Sequence, residues 1–273
     1  MRTRLAALLA AAAVTVTLAV PASAITFGVL DGNGHPNVGA LIREFEIEPG
    51  VVQKFVWCSG TLIQDGGGDS DLFLTASHCL VDATNVWVTF QSQIDLAPEG
   101  WLAASALPHL LPGTAHQHEN FACCGPNDPF DVGVVDLDND VPNIAPAPIA
   151  TPNQLGLMSR QARRDATFVA VGYGTVRNEK EGGFKPFFFD GDRRFAEQTY
   201  MNLLKAWLDL SMQPSTGDGG TCYGDSGGPH FLNGVVVSIT VTGDAPCRAT
   251  DKTYRIDTPV SEEFISLFLD PAP

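Results

Sequence analysis

Gly224-Asp225-Ser226-Gly227-Gly228-Pro229 sets a serine among glycines. A turn of this kind can expose a hydroxyl while neighbouring backbone N–H groups stay free to face a substrate oxygen, which is what nucleophilic attack on an acyl carbon needs. The competing reading is a Gly/Ser/Pro loop without function, so the serine must find a base and an acid elsewhere. His78 is a candidate base, in Thr75-Ala76-Ser77-His78-Cys79, where an apolar run ends and the backbone turns. Asp131, opening Asp131-Val132-Gly133-Val134-Val135-Asp136-Leu137, is a candidate acid. Taken singly, the histidine reads as a structural residue and the aspartate as a cap or turn residue. Three such residues at element ends in one chain point instead to Ser-His-Asp chemistry.

The chain must supply rigid elements to hold these groups. Its 273 residues are 44% hydrophobic and 17% charged, enough to bury a substantial core. Short β-branched runs separated by Gly, Pro, Asn and Asp predict strands within residues 38–42, 55–63, 72–75, 86–90, 132–137, 168–173, 235–241 and 252–256, an all-β rhythm. The Pro-rich stretch from Asn139 to Asn153 predicts a crossing between two halves, 25–147 and 148–273. Residues 203–210 fit helix or strand equally. A closing helix is predicted with Thr258 as cap, Pro259 in its first turn, Glu262 and Glu263 at its positive end, and a stripe of Val260, Phe264, Leu267 and Phe268 docking on the second half.

Residues 1–24 read as a secretory signal: Arg2 and Arg4, an apolar run from Leu5 to Val20, then Ala22-Ser23-Ala24. Its removal takes the formal charge from −15 to −17, which argues against nucleic acid or an anionic membrane as a partner. Six cysteines in an exported chain favour disulfides, and spacing alone leaves fifteen connectivities open.

Together Thr75–Cys79, Phe130–Val135, Gly172-Tyr173-Gly174 and Cys222–Pro229, in this order, resemble the chymotrypsin-like (trypsin-like) serine endopeptidases. An α/β-hydrolase is excluded by chain order: it needs a histidine well after its nucleophile, and the only one here, His230, is four residues from Ser226. The resemblance implies two six-stranded antiparallel β-barrels and a C-terminal helix, with His78 and Asp131 from the first barrel and Ser226 from the second. It also implies an oxyanion hole from the N–H groups of Gly224 and Ser226, an activating salt bridge from a freed Ile25 amine to Asp225, and a supporting role for Ser238. The signal cut falls just before Ile25, so signal removal itself is the expected activation; Thr26 and Phe27 depart from the family's usual Val-Gly.

By family position, Gly220 and Thr221 fall at the base of the specificity pocket, Thr240 narrows it and Lys252 reaches its wall or pairs with Asp251. No fixed carboxylate then selects Lys or Arg. The implied bridges are Cys58–Cys79 and Cys222–Cys247, which leaves Cys123–Cys124 as a strained vicinal pair. His116, His118 and Glu119 beside Cys123 and Cys124 raise a zinc alternative, but the spacing matches no standard site, so no metal or other cofactor is expected. Asp136-Leu137-Asp138-Asn139-Asp140 lacks the glycine of a calcium loop and reads as a solvated strand end. The expected protein is a secreted monomer, off the membrane once its signal is gone, acting on polypeptides and meeting protein inhibitors. A non-catalytic binding protein and an ester-cleaving hydrolase are the alternatives.

Overall fold

The computed structural model describes residues 25, 27–63, 71–123, 128–177 and 187–269. The expected signal, residues 1–24, lies outside them, as do Thr26 and Cys124. Among the described residues no helix is long and apolar enough to cross a membrane.

Twelve strands form two closed barrels. The first contains β1 (Val38–Glu48), β2 (Val51–Ile63), β3 (Leu72–Thr75), β4 (Val86–Thr89), β5 (Leu111–Gln117) and β6 (Gly133–Leu137), joined in the order β1-β2-β3-β6-β5-β4 and back to β1, every pair antiparallel. The second contains β7 (Thr167–Gly172), β8 (Arg194–Leu203), β9 (Trp207–Ser211), β10 (Pro229–Leu232), β11 (Val235–Gly243) and β12 (Thr250–Arg255), in the order β8-β9-β12-β11-β10-β7 and back to β8. Closure leaves neither sheet with a free edge. The two expected six-stranded barrels are therefore present, and residues 203–210 resolve as the end of β8, a short bend over 204–206 and most of β9, with no helix.

Leu111–Gln117 is a strand that the apolar rhythm does not reveal. It contains Pro112 and Gly113, and its side chains alternate between exposed and half-buried, so it offers no buried run to recognise. The β1–β2 hairpin also extends well past the apolar ends seen in sequence, reaching Glu48 and Val51.

The C-terminal helix, Pro259–Ser266, begins as expected: Thr258 Oγ1 accepts a hydrogen bond from the Ser261 N–H, and Pro259 occupies the first turn. Its packing differs from expectation in two ways. Phe264 and Ile265 are buried while Leu267 is 73% exposed, so the stripe is rotated from the one read in sequence. Its rings also meet the first barrel: Phe268 lies 4.6 Å from His116 and Phe264 lies 5.1 Å from His118, ring centre to ring centre. The helix follows the last strand of the second barrel and reaches across to the first.

The seam between barrels holds a buried ionic cluster. Arg193, wholly buried, donates from Nε to Asp31 Oδ2 at 2.8 Å, from Nη2 to Gly32 O, and from Nη1 to Val38 O, Phe90 O and Tyr173 Oη. Asp31 also holds His35 through its ring nitrogen and its backbone N–H. Burial acts to raise the Asp31 carboxyl, but the bonds from His35 and Arg193 prevail and hold it at about 2. That stabilisation is present above the ordinary carboxylate value and is lost as the pH falls toward 2. Arg193→Met would leave Asp31 buried without its cation. Urea unfolding at neutral pH is expected to show a loss of about 3–5 kcal/mol, and a change below 1 kcal/mol would refute this role.

Candidate active site

His78 sits in a short 3₁₀ turn, Ser77–Leu80, directly after β3, and Asp131 lies two residues before β6, the strand beside β3. That adjacency brings the two side chains together. Asp131 is 3% exposed and uses both oxygens on the histidine: Oδ2 lies 2.8 Å from His78 Nδ1 and Oδ1 accepts the His78 N–H at 2.9 Å. The two contacts fix the imidazole in position and orientation, and leave Nε2 available.

Ser226 arrives from the loop before β10. Its carbonyl accepts a hydrogen bond from the Ser59 N–H at 2.9 Å and lies 3.7 Å from Cys79 Sγ, beside His78. The Cys58–Cys79 disulfide pins this junction on the first barrel. Ser59, which sequence reasoning passed over, stitches the barrels at two further points: its hydroxyl donates to Gly224 O and accepts from the Tyr173 N–H, both at 3.0 Å. Its only signal in the sequence is its place after Cys58.

The serine loop has a distinctive pattern of backbone bonding. The N–H groups of Cys222, Asp225, Gly227 and Gly228 are all committed. Among the described residues, those of Gly224 and Ser226 reach no acceptor. Gly224 has φ +98°, a conformation that strains any side-chain-bearing residue, and an added Cβ would lie 3.1 Å from Gly174 Cα. Glycine at 224 thus permits the turn that frees these two donors.

Beneath the loop, Asp225 is completely buried. Its Oδ1 accepts from the Gly174 N–H at 2.7 Å and its Oδ2 from the Cys222 N–H at 2.8 Å. An added Cβ at Gly172 or Gly174 would come within 2.2 Å of this carboxylate, so the two glycines flanking Tyr173 form its cradle. Burial pushes the Asp225 carboxyl up to about 7, the two N–H bonds acting against it. None of the ion pairs among the described residues involves it. Ile25, its expected partner, is buried, at 1% exposure.

A cavity of about 240 Å³ opens beside Ser226, walled by Thr221, Cys222 and Tyr223 on one side and by residues 240–245 on the other, with Cys247 bonded to Cys222. Thr221 and Thr240 therefore line it. Gly220 is buried behind it against Met212, which an added Cβ would strike. Lys252 pairs across the sheet with Thr242 of the cavity wall, and its Nζ lies 4.7 Å from the centre of the Trp207 ring. Asp251, its other suggested partner, is buried between His230 Nε2 at 3.0 Å and Gln198 Nε2 at 2.9 Å. The one carboxylate on the cavity wall among the described residues, Asp244, is taken up by the N–H groups of Arg248, Ala249 and Thr250. Ser238 shares its hydrogen bond with Thr253 Oγ1 at 2.8 Å.

The residues of the zinc alternative, His116, His118, Glu119 and Cys123, form no close ligand group among the described residues. Among the described residues the single close group of candidate ligands is Cys58, His78 and Cys79, whose two sulfurs are joined as a disulfide and cannot serve as thiolates. Cys123 is also disulfide-bonded, while its expected partner Cys124 lies outside the described residues.

Comparison with known proteins agrees with this architecture. A family model described as Trypsin matches residues 46–266. Kallikrein 1-related peptidase b21 of Mus musculus is 26% identical over 236 residues, covering 77% of this chain and 80% of the mouse protein. Kallikrein-2 of Homo sapiens is 26% identical over 209 residues, covering 71% and 73%. Among solved structures, HL collagenase superposes with a TM-score of 0.58 at 16% identity over 85% of this chain and 94% of that one. Human heparin binding protein superposes with a TM-score of 0.60 at 14% identity over 91% and 98%. At these identities the superpositions speak to the fold alone.

Proposed function

The chain belongs to the trypsin family of serine proteases, and on that premise we propose that it is a secreted endopeptidase that cuts polypeptides through a Ser226-His78-Asp131 triad. Ser226 attacks the scissile carbonyl, His78 takes the hydroxyl proton and passes it to the leaving amine, and Asp131 holds the imidazole and stabilises its charged form. Water then resolves the acyl-enzyme by the same route in reverse order of partners. The observation that carries this reading is the pair of uncommitted N–H groups at Gly224 and Ser226, the donors a developing oxyanion requires.

A fluorophosphonate probe tests it. Stoichiometric labelling of the purified protein, lost in Ser226→Ala, is expected; a parent protein that resists the probe refutes the assignment. Human heparin binding protein shows that this fold also carries binding functions. A polyanion ligand is disfavoured here by the formal charge of −15.

We further propose that release of Ile25 as a free amine supplies the cation that Asp225 lacks. With Ile25 in peptide linkage, the folded state keeps the Asp225 proton up to about pH 7, whereas the unfolded chain gives it up near the ordinary aspartate value of 3.8. Stability from this group is therefore lost as the pH rises through that window, and ionising the carboxylate above it costs on the order of 4 kcal/mol. A chain extended before Ile25 is expected to resist urea less well at pH 8 than at pH 5, and to be nearly inactive. A chain starting at Ile25 should lose most of that pH dependence. Equal activity of the two chains at pH 8 would overturn the activation scheme.

A further inference from the structure

A second cavity, of about 440 Å³, lies between the end of β5 and the C-terminal helix. It exceeds the cavity beside Ser226 and plays no part in the proposed chemistry. Its wall carries three kinds of recognition group. Glu119 and Glu263 are exposed carboxylates that enter no ion pair among the described residues. Phe264 stacks on His118 at 5.1 Å and Phe130 meets it tilted at 4.8 Å, giving an aromatic surface. His118 itself is 9% exposed, and its Nδ1 accepts the Asn120 N–H at 3.1 Å, so the ring proton resides on Nε2, for which no acceptor stands within reach among the described residues. Burial holds this imidazole below its usual range, against the charges of Glu119, Asp128 and Glu263. Among the described residues no lysine or arginine lines the cavity.

Free carboxylates beside aromatic faces, with no cation of the protein's own, match a guanidinium, which stacks on rings and accepts carboxylate partners through its planar fork. The mostly buried His118 ring N–H donor on the same wall matches a peptide carbonyl. We propose that this cavity binds an arginine-bearing segment of a polypeptide partner, the guanidinium held by Glu119 and Glu263 against the phenylalanine rings and a backbone carbonyl held by His118. The formal charge of −15 favours the approach of such a basic partner. The site stands close behind the histidine–aspartate pair: the His118 N–H donates to Ser77 Oγ at 3.0 Å, and Phe130 directly precedes Asp131.

The test uses the capped peptide Ac-Gly-D-Arg-Gly-D-Arg-Gly-NH2, whose D-residues resist cleavage, titrated into the protein while the histidine ring resonances are followed by NMR. Saturable shifts are expected at His116 and His118 with His78 unmoved, and none with the D-Gln counterpart. Glu119→Gln with Glu263→Gln, both at exposed positions, should weaken binding at least about tenfold while circular dichroism stays unchanged. Leu267→Arg, which puts a competing cation on the exposed rim, should weaken it independently. Shifts confined to His78, equal affinity in the double variant, or no binding at millimolar peptide would each overturn the proposal.

Discussion

Ser226→Ala is expected to lower kcat on a chromogenic peptide amide by about 10⁶-fold with little change in KM. The size of the loss follows from what the substitution removes and what it leaves. Only Oγ disappears; the Ser226 carbonyl bond to Ser59 is a backbone contact and survives, as do the uncommitted N–H groups at 224 and 226. A water molecule must then attack without a covalent intermediate, with only the oxyanion donors and bound geometry to help. Those leave roughly 10³–10⁴-fold acceleration over the uncatalysed reaction. A variant within a hundredfold of the parent would show that the bond-breaking nucleophile is another group. Because the folded backbone is unaffected, thermal unfolding should match the parent and separate lost chemistry from lost structure.

How much of this could be read from the chain depends on whether a feature is carried by residue identity or by long-range packing. The serine turn, the histidine after a buried strand and the aspartate before another are local patterns, and eight of the twelve barrel strands follow from short apolar runs punctuated by turn residues, while the two-barrel arrangement comes from the family resemblance. Arg193 and Asp31 are 162 residues apart, so nothing local distinguishes their buried pair from two surface charges. Ser59 is equally silent, since its function lies in contacts to Gly224 and Tyr173 on the other barrel. Lys252 shows a different limit. Strand alternation sets it on one face with Tyr254, and both lie against Trp207. A register shift between Thr240 and Thr242 on the neighbouring strand breaks any simple count from strand position to cavity wall. The helix stripe is right at Val260, Phe264 and Phe268 and wrong at Leu267, for a related reason: an amphipathic pattern shows that one face is buried, while the partner is chosen by the distance the chain must cross.

Asp131→Asn is expected to reduce kcat by about 10⁴-fold, more than loss of one ordinary hydrogen bond could explain. The carboxylate accepts twice from His78, at the backbone N–H and at Nδ1, and acceptance at Nδ1 requires the ring proton to stand there. Nε2 is then a lone-pair acceptor ready for the serine proton. Asparagine keeps the shape but brings one oxygen and one NH2 group. With its oxygen on the backbone N–H, its NH2 faces Nδ1 and donates, driving the ring proton to Nε2, where it blocks proton abstraction. The imidazolium formed during attack also loses its compensating charge in a pocket where Asp131 is 3% exposed. Steady-state kinetics should place the loss in kcat, and fluorophosphonate labelling should slow in parallel because it uses the same activated hydroxyl. Asp131→Glu, which restores the charge at a displaced position, should recover part of the rate if electrostatic compensation dominates and almost none if tautomer and orientation do. A parent-like labelling rate in Asp131→Asn would remove the aspartate from the triad altogether, whatever the proximity of its side chain to His78.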